Sequence, residues 1–412
     1  MVPRIAPHRE AESVSGPFRV LIVTNAYAPR IGGISRYLSD LVSGLEKRGV
    51  SIEVSATPES FNRLDEGAKG SVLWWRSIHL LFVTTFVMQS LRVILRLRKM
   101  GTPLIVHSHS ASFCLVSGVI SKLLGSSSVH TFHSPLDRPS ALLRALAPKS
   151  DALVFVSRAL QDLYEGLGVR AAEIRIIPGG VDTSVFHPPS PPQHLHAREK
   201  SQMWFGRPLG EHLVLFVGRV VPEKGVHVLL AACQEICHAS PNTNVLIIGP
   251  FDQSAAGQAY MAQSRAMIQH GSLQDRVALS GPVSPTEVLA AFQAADVLVC
   301  PSTWPEPAAV VVSEAMACGL PVVASRVGGL HERVDDGVTG LLIPPNDPHA
   351  LAQGVLRVLA DRAFAERLSR RARSKAVQDL GLDRLIERHL NLYSSVLSGS
   401  GDKSDQEDRT SA

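Results

Sequence analysis

The chain has 412 residues, of which 45% are hydrophobic and 19% charged. That is too long for one ordinary domain, about right for two, and too apolar for a disordered chain. A net charge of +4 over this length argues against a nucleic-acid protein, which would carry a concentrated basic stripe.

The lead MVPRIAPHREAESVSG has charge and proline but no apolar core, so a disordered segment over 1–17 is expected and no signal peptide. From Phe18 strands and helices alternate. RVLIVT reads as a strand and NAYAPRIGGIS as a loop carrying Gly32 and Gly33. RYLSDLVSGLEKRG reads as a helix with Leu38, Leu41, Val42 and Leu45 on one face and Gly49 at its end. VSIEVSA is the next strand. The most hydrophobic segment follows, His79 to Met100, interrupted by Gln89, Arg92 and Arg96 and therefore not a clean membrane span. Thr85, Gln89, Arg92, Arg96 and Lys99 recur at spacings of 4, 3, 4 and 3, a polar stripe on an apolar helix. The stripe is either the wet face of a packed helix or a basic surface for peripheral contact with anionic lipid. TPLIVHSHS, SSVHTFHS and ALVFVS are further strands.

The pattern restarts after HPPSPPQHLHAREK, a proline-rich stretch expected to be a linker. HLVLFVG, NVLIIG, RVALSG, VLVCPS and LPVVAS are the later strands, with VHVLLAACQEICHA a helix among them. Alternation of this kind gives parallel sheets covered on both faces. The expectation is an α/β chain of two Rossmann-like domains facing each other across a cleft. They span 18–188 and 211–375, with the linker over 189–210, a helix over 376–397 and a disordered tail over 398–412. Ligands of such sheets sit at the carboxyl ends of the strands.

Several residues fall on those ends. Gly32 and Gly33 suit either backbone binding of a phosphate or an ordinary tight turn. Arg219 and Lys224, with Gly218 and Gly225, suit a phosphate loop or solvated surface charge. His107, His109, His130 and His133 lack acidic or cysteine ligands at useful spacing, so no metal is expected. Instead one or two should donate hydrogen bonds, with His133 favoured and the others half buried. The five cysteines form no CxxC and read as reduced thiols of a cytoplasmic protein; Cys233 and Cys237 suit a helix interior better than a metal site. Glu306 and Glu314 stand eight positions apart. A mostly helical segment would separate them by about 12 Å. Glycosidase carboxylates lie about 5 to 9.5 Å apart, so this pair suits a grip on two ends of a long ligand. With the two cations between, that ligand is a sugar–diphosphate–nucleoside.

PSTWPEPAAVVVSEAMACGLPVVAS closely resembles the signature of family 4 glycosyltransferases, which have the GT-B fold. GRVVPEKG, IIPGGVDTSVFHP, APRIGGIS and GGLHERVDDGVTGLLIPPND resemble further parts of that pattern, over about residues 18 to 395. The resemblance implies that Glu306 contacts the donor sugar and Glu314 the ribose, and that Arg219 and Lys224 hold the diphosphate. It also implies that Gly32 and Gly33 form the glycine loop and that His133 is the site histidine, with His109 and His133 the candidates on the acceptor side. Val283, Ser284, Ala308, Ala309 and Val310 fall along the donor, and the last helix crosses back to the first domain. One departure stands out: the family has Phe-Gly after Glu-Pro, and this chain has Ala308-Ala309.

The implied activity is retaining transfer of a sugar, from a UDP-sugar by preference, to an acceptor hydroxyl of a small molecule, glycan or lipid-linked carrier. It needs no cofactor and, without a DxD motif, no metal. Cytoplasmic location, at the inner face of a membrane if the 79–100 helix binds lipid, completes the expectation. Two rivals remain, a nucleotide-sugar epimerase of similar architecture and a non-catalytic nucleotide-sugar binder.

Overall fold

The computed structural model describes residues 18–27, 33–56, 72–109, 112–135 and 141–399. The expected lead, Gly32 and nearly all of the expected tail lie outside these. The chain forms two compact units. One comprises residues up to Val156, Leu160–Ile177 and the chain from Leu385; the other comprises Ser157–Ala159 and Pro178–Arg384.

The first unit contains β1 (Arg19–Thr24), α1 (Gly33–Lys47), β2 (Ser51–Ala56), α2 (Val72–Arg98), β3 (Leu104–His109) and α3 (Ser112–Leu123). It continues with β4 (Ser127–Phe132), α4 (Ala141–Leu146), β5 (Ala152–Phe155), most of α5 (Arg158–Gly166) and β6 (Ile174–Ile176). Its sheet is parallel, ordered β2-β1-β3-β4-β5-β6. Gly49 closes α1 at a positive φ of 80°, its N–H donating to Glu46 O. Phe86, Ile94 and Leu97 of α2 pack on Leu21, Val23 and Val106 of the sheet. Thr85, Gln89, Arg92, Arg96 and Lys99 are all exposed, so the polar stripe faces solvent, and Arg96 pairs there with Glu53. Among the described residues no helix is long and apolar enough to cross a membrane.

The second unit contains α6 (Pro191–Gln202), β7 (His212–Val217), α7 (Val226–Ala239), β8 (Thr243–Ile248), α8 (Ala255–His270), β9 (Val277–Gly281) and α9 (Pro285–Ala294). After these come β10 (Val297–Cys300), α10 (Val310–Ala317), β11 (Val322–Ser325), α11 (Leu330–Arg333), β12 (Leu341–Ile343), α12 (Pro348–Ala360) and α13 (Arg362–Gln378). Its parallel sheet is ordered β12-β11-β10-β7-β8-β9. Alternate residues feed separate cores: Leu213, Leu215, Leu246 and Leu298 on one face, Val214, Phe216, Val245, Ile247 and Val299 on the other. Burial on both faces is what a parallel sheet with helical crossovers requires. The last helix, α14 (Leu382–Ser398), joins the first unit from Leu385, burying Leu385, Ile386, His389, Leu392 and Tyr393.

Three expectations need correction. The 189–210 stretch is not a linker. Ser190 precedes two prolines at the first turn of α6, and its N–H donates to Gln193 Oε1 at 2.9 Å, so the prolines start a helix. The unit boundary falls at Pro178 instead of 189. The short strands β6 and β12, three residues each, escaped notice because so short a run carries no periodicity.

Candidate active site

In the second unit the strand order reverses between β7 and β10, the switch point at which open sheets of this kind bind ligands. The loop after β7 carries Arg219 and Lys224, and the loop after β10 carries Glu306. Lys224 Nζ donates to both oxygens of Glu306, at 2.7 and 2.6 Å, and Ser302 Oγ donates to Glu306 Oε2 at 3.1 Å. The Glu306 side chain is 10% exposed and that of Lys224 26%. The site is therefore a charge-assisted pair at the surface edge of the core, with one of three ammonium donors uncommitted by this pair. Cys300 beside it is pushed up to about 11, chiefly by burial, so no thiolate intrudes.

Two glycines make this meeting possible. At Gly225, φ 72°, a Cβ would lie 1.9 Å from Pro301 O, so only glycine lets the Lys224 loop close on the end of β10. At Gly328, φ 51°, a Cβ would lie 2.4 Å from Glu306 N, and the next N–H, that of Gly329, donates to Glu306 O at 2.6 Å. The Gly328-Gly329 turn thus fixes the backbone of Glu306.

The Glu306–Glu314 geometry differs from the helical estimate. α10 begins only at Val310, and Ala309 before it is left-handed, φ 39° and ψ 52°, so 306–309 is not helix and the 12 Å rise argument does not apply. Ala309 occupies a conformation that glycine adopts freely and alanine does not. Glu314 lies on α10 and is 8% exposed. Ala308 lies next to Ala309, and Val310 opens α10. Arg219 is exposed after β7; Asp252, held below the usual carboxylate range by hydrogen bonds from Ser254, also feels its charge. Val283 packs against the core, while Ser284 caps α9, accepting from Glu287 N–H at 3.3 Å and donating its own N–H to Glu287 at 2.8 Å. That N–H is committed to the cap.

In the first unit the reversal lies between β1 and β3, and His109 ends β3 at that point. The histidines are not half buried as expected. His107, His109 and His130 are 0% exposed and His133 is 7%. His109 Nδ1 lies 3.0 Å from His133 Nε2, and His130 Nδ1 lies 2.7 Å from Ser108 Oγ. His107 contacts Tyr393 Oη through Nδ1 and Thr131 Oγ1 through Nε2, both at 2.7 Å. Tyr37 Oη lies 3.1 Å from His389 Nε2, and its ring stands edge-on to His133 at 4.7 Å. Burial first, then repulsion from neighbouring histidines, holds His107 and His109 well below the usual imidazole range and His130 and His133 at about 3; burial, with the Arg388 charge, holds His389 at about 4 despite its hydrogen bond to Leu385 O. All are neutral at physiological pH. Gly33 opens α1 with open space around it. Tyr37, His389 and Ser302 went unnoticed in the sequence: Tyr37 and His389 meet across 352 positions, and Ser302, four residues before Glu306, is one serine of a loop with nothing in its spacing to mark it.

The profile described as Glycosyl transferases group 1 matches residues 198–375, and that described as Glycosyltransferase Family 4 matches residues 31–185. A D-inositol 3-phosphate glycosyltransferase of Acidothermus cellulolyticus is 28% identical over 448 aligned residues, covering 96% of this chain and 95% of that protein. A glycogen synthase of Mycobacterium tuberculosis is 28% identical, covering 92% and 95%. The crystal structure of Anabaena HepE in complex with UDP superposes with a TM-score of 0.71 at 22% identity, over 92% of this chain and 100% of that one. Two parallel six-stranded sheets with this likeness are a GT-B architecture, and with both profiles matched in order the chain belongs to the family 4 glycosyltransferases.

Proposed function

We propose that this enzyme transfers a sugar from a nucleoside-diphosphate sugar to an acceptor hydroxyl, with retention at the anomeric carbon and without a metal. The observation that carries the reading is the Lys224–Glu306 pair at the β7/β10 switch point. Lys224 has a third donor for a phosphate oxygen. Arg219, exposed on the same loop, adds a second cation, and together they offset charge growing on the leaving diphosphate. Glu306 and Glu314 accept from hydroxyls of the donor's sugar and ribose. The C1–phosphate bond breaks, the acceptor oxygen bonds C1 on the same face, and the acceptor proton goes to the leaving phosphate. HepE was crystallised with UDP, and we carry uridine over as the base to test first. The named relatives differ in acceptor, a polyol phosphate in one and a glucan in the other, so the acceptor class proposed is a hydroxyl alone. The exposed Arg92, Arg96 and Lys99 stripe of α2 supports peripheral contact with an anionic membrane surface.

The test is a screen of radiolabelled UDP-, GDP- and dTDP-sugars for slow hydrolysis, then for transfer, each with and without excess EDTA. Sugar release from one donor, undiminished by EDTA, is expected. An isomerised sugar without transfer would replace this reading by epimerisation, binding without release by a non-catalytic binder, and EDTA-sensitive release would refute the metal-free mechanism.

A further inference from the structure

A neutral imidazole carries one N–H and one bare nitrogen, and the buried network of the first unit constrains which is which. His389 is determined by its partner. Its Nδ1 lies 2.8 Å from Leu385 O, which can only accept, so Nδ1 holds the proton. Nε2 is then bare, and the Tyr37 hydroxyl donates to it. That fixes the Tyr37 proton on the α14 side, away from His133.

His109 is constrained by what it lacks. Its ring is 0% exposed, its Nε2 is enclosed with no partner among the described residues, and its Nδ1 faces His133 Nε2 at 3.0 Å. If His133 donated from Nε2, the His109 proton would sit on Nε2 as an orphaned buried N–H, which folded proteins rarely contain. If His109 donates from Nδ1, its Nε2 is only an unfilled acceptor, which is tolerated better. His133 Nε2 then accepts, and the proton of His133 lies on Nδ1. Among the described residues that Nδ1 makes no hydrogen bond and is not one of the enclosed, unpartnered polar atoms, and His133 keeps 7% exposure. The groups packed around the pair are Tyr37 of α1, His107 of β3, His130 of β4 and His389 of α14, none of them an acid.

We propose that His109 is a positioning residue that holds His133 in the tautomer protonated on Nδ1, so that His133 offers an N–H donor to a ligand hydroxyl and does not act as a base. The ligand hydroxyl belongs to the donor sugar or the acceptor, and this part rests on the sugar-transfer reading; the tautomer does not. The depressed proton affinities of both rings agree with it.

The experiment uses the full chain labelled with ¹⁵N-histidine. Long-range ¹H–¹⁵N spectra assign the His133 ring by its loss in His133→Gln. Parent, His109→Asn and His109→Leu are compared, together with kcat and KM for the donor found in the screen. Asn places an amide N–H near the former Nδ1; Leu has no donor. The expected result is a proton on His133 Nδ1 in the parent and in His109→Asn, displaced or mixed in His109→Leu. Turnover of the Leu variant should fall on the order of tenfold, the weight of one neutral hydrogen bond, with KM changing less and Asn restoring most of it. A proton on Nε2 of His133 in the parent overturns the proposal, as does equal impairment by Asn and Leu, or no loss of turnover in Leu. If the parent releases sugar from no donor, the transfer reading fails, and the nitrogen spectra decide the tautomer by themselves.

Discussion

At the carboxyl edge of the second sheet Lys224 and Glu306 meet as charges, partly in contact with solvent. At the corresponding edge of the first sheet His107, His109 and His133 meet as neutral rings, almost wholly enclosed, with Tyr37, Tyr393 and His389. Both arrangements place polar side chains where a parallel sheet opens, but they suit different chemistry. A cation beside a carboxylate can hold an anion and a hydroxyl together, and its strength depends on charge. Enclosed neutral imidazoles cannot become charged without a large desolvation cost, so they can offer only oriented neutral hydrogen bonds. The second edge is therefore fit for a leaving phosphate, the first for uncharged hydroxyls.

The strongest way to break this comparison is to remove the charge. Arg219→Ala with Lys224→Ala should lower turnover about a hundredfold or more, because donors aimed at developing charge have that weight. Loss of stability should stay within roughly 1–3 kcal/mol, since Lys224 is partly exposed and Ser302 still donates to Glu306. Near-normal turnover would remove the phosphate assignment.

A finer test separates the two carboxylates. Glu314→Ala should mainly raise the donor KM and weaken free UDP, which has a ribose. Glu306→Ala should lower turnover more than affinity. Because Glu306 also holds Lys224, a cycle of Lys224→Ala and Glu306→Ala in kcat/KM should show coupling of about 1 kcal/mol or more. Additive losses would mean that the ion pair has no part in transfer.

Between about pH 6.5 and 4.5 acid should act on the first unit before the second, whose depressed carboxylates, such as Asp252, give way only at lower pH. Burial holds His130 and His133 at about 3 and His389 at about 4 when folded, against about 6.5 for an ordinary imidazole. Between those values the unfolded chain binds more protons, so stability rises with pH there. The contribution is complete above about pH 6.5 and is lost as pH falls toward the folded values. Hydrogen exchange, corrected for intrinsic rates, should show β3, β4 and α14 losing protection by about pH 4.5 while β7 and β10 keep theirs. Parallel loss in both units would contradict the contrast drawn above.

The smallest effect concerns Ala309, at φ 39°. Ala309→Gly should stabilise the second unit by up to about 1 kcal/mol, relief of the left-handed strain outweighing the added freedom of the unfolded chain. A lower denaturation midpoint would show that Ala309 is unstrained.

Most strands were legible, because buried parallel strands such as RVLIVT and HLVLFVG are continuous apolar runs bounded by loops. The start of α6 was legible too and was misread: Ser190, two prolines and Gln193 are a helix opening, and proline content alone suggested a linker. Arg219, Lys224 and Glu306 could be named from motif and position at strand ends. That Lys224 and Glu306 touch could not, because they are 82 residues apart and the contact depends on the Gly225 and Gly328 close approaches.

Sequence by itself determined the two parallel sheets, the family and the residues at the strand ends, because each rests on local periodicity or on motifs a few residues long. Tertiary structure alone decided the ionisation and partners of those residues. Strand order brings β7 beside β10 and β1 beside β3, and α14 delivers His389 to a residue 352 positions earlier, Tyr37. Proton affinity follows from burial and from neighbours met only after folding, so histidines that read as half buried in the sequence, such as His107 and His130, are fully enclosed, neutral rings in the protein.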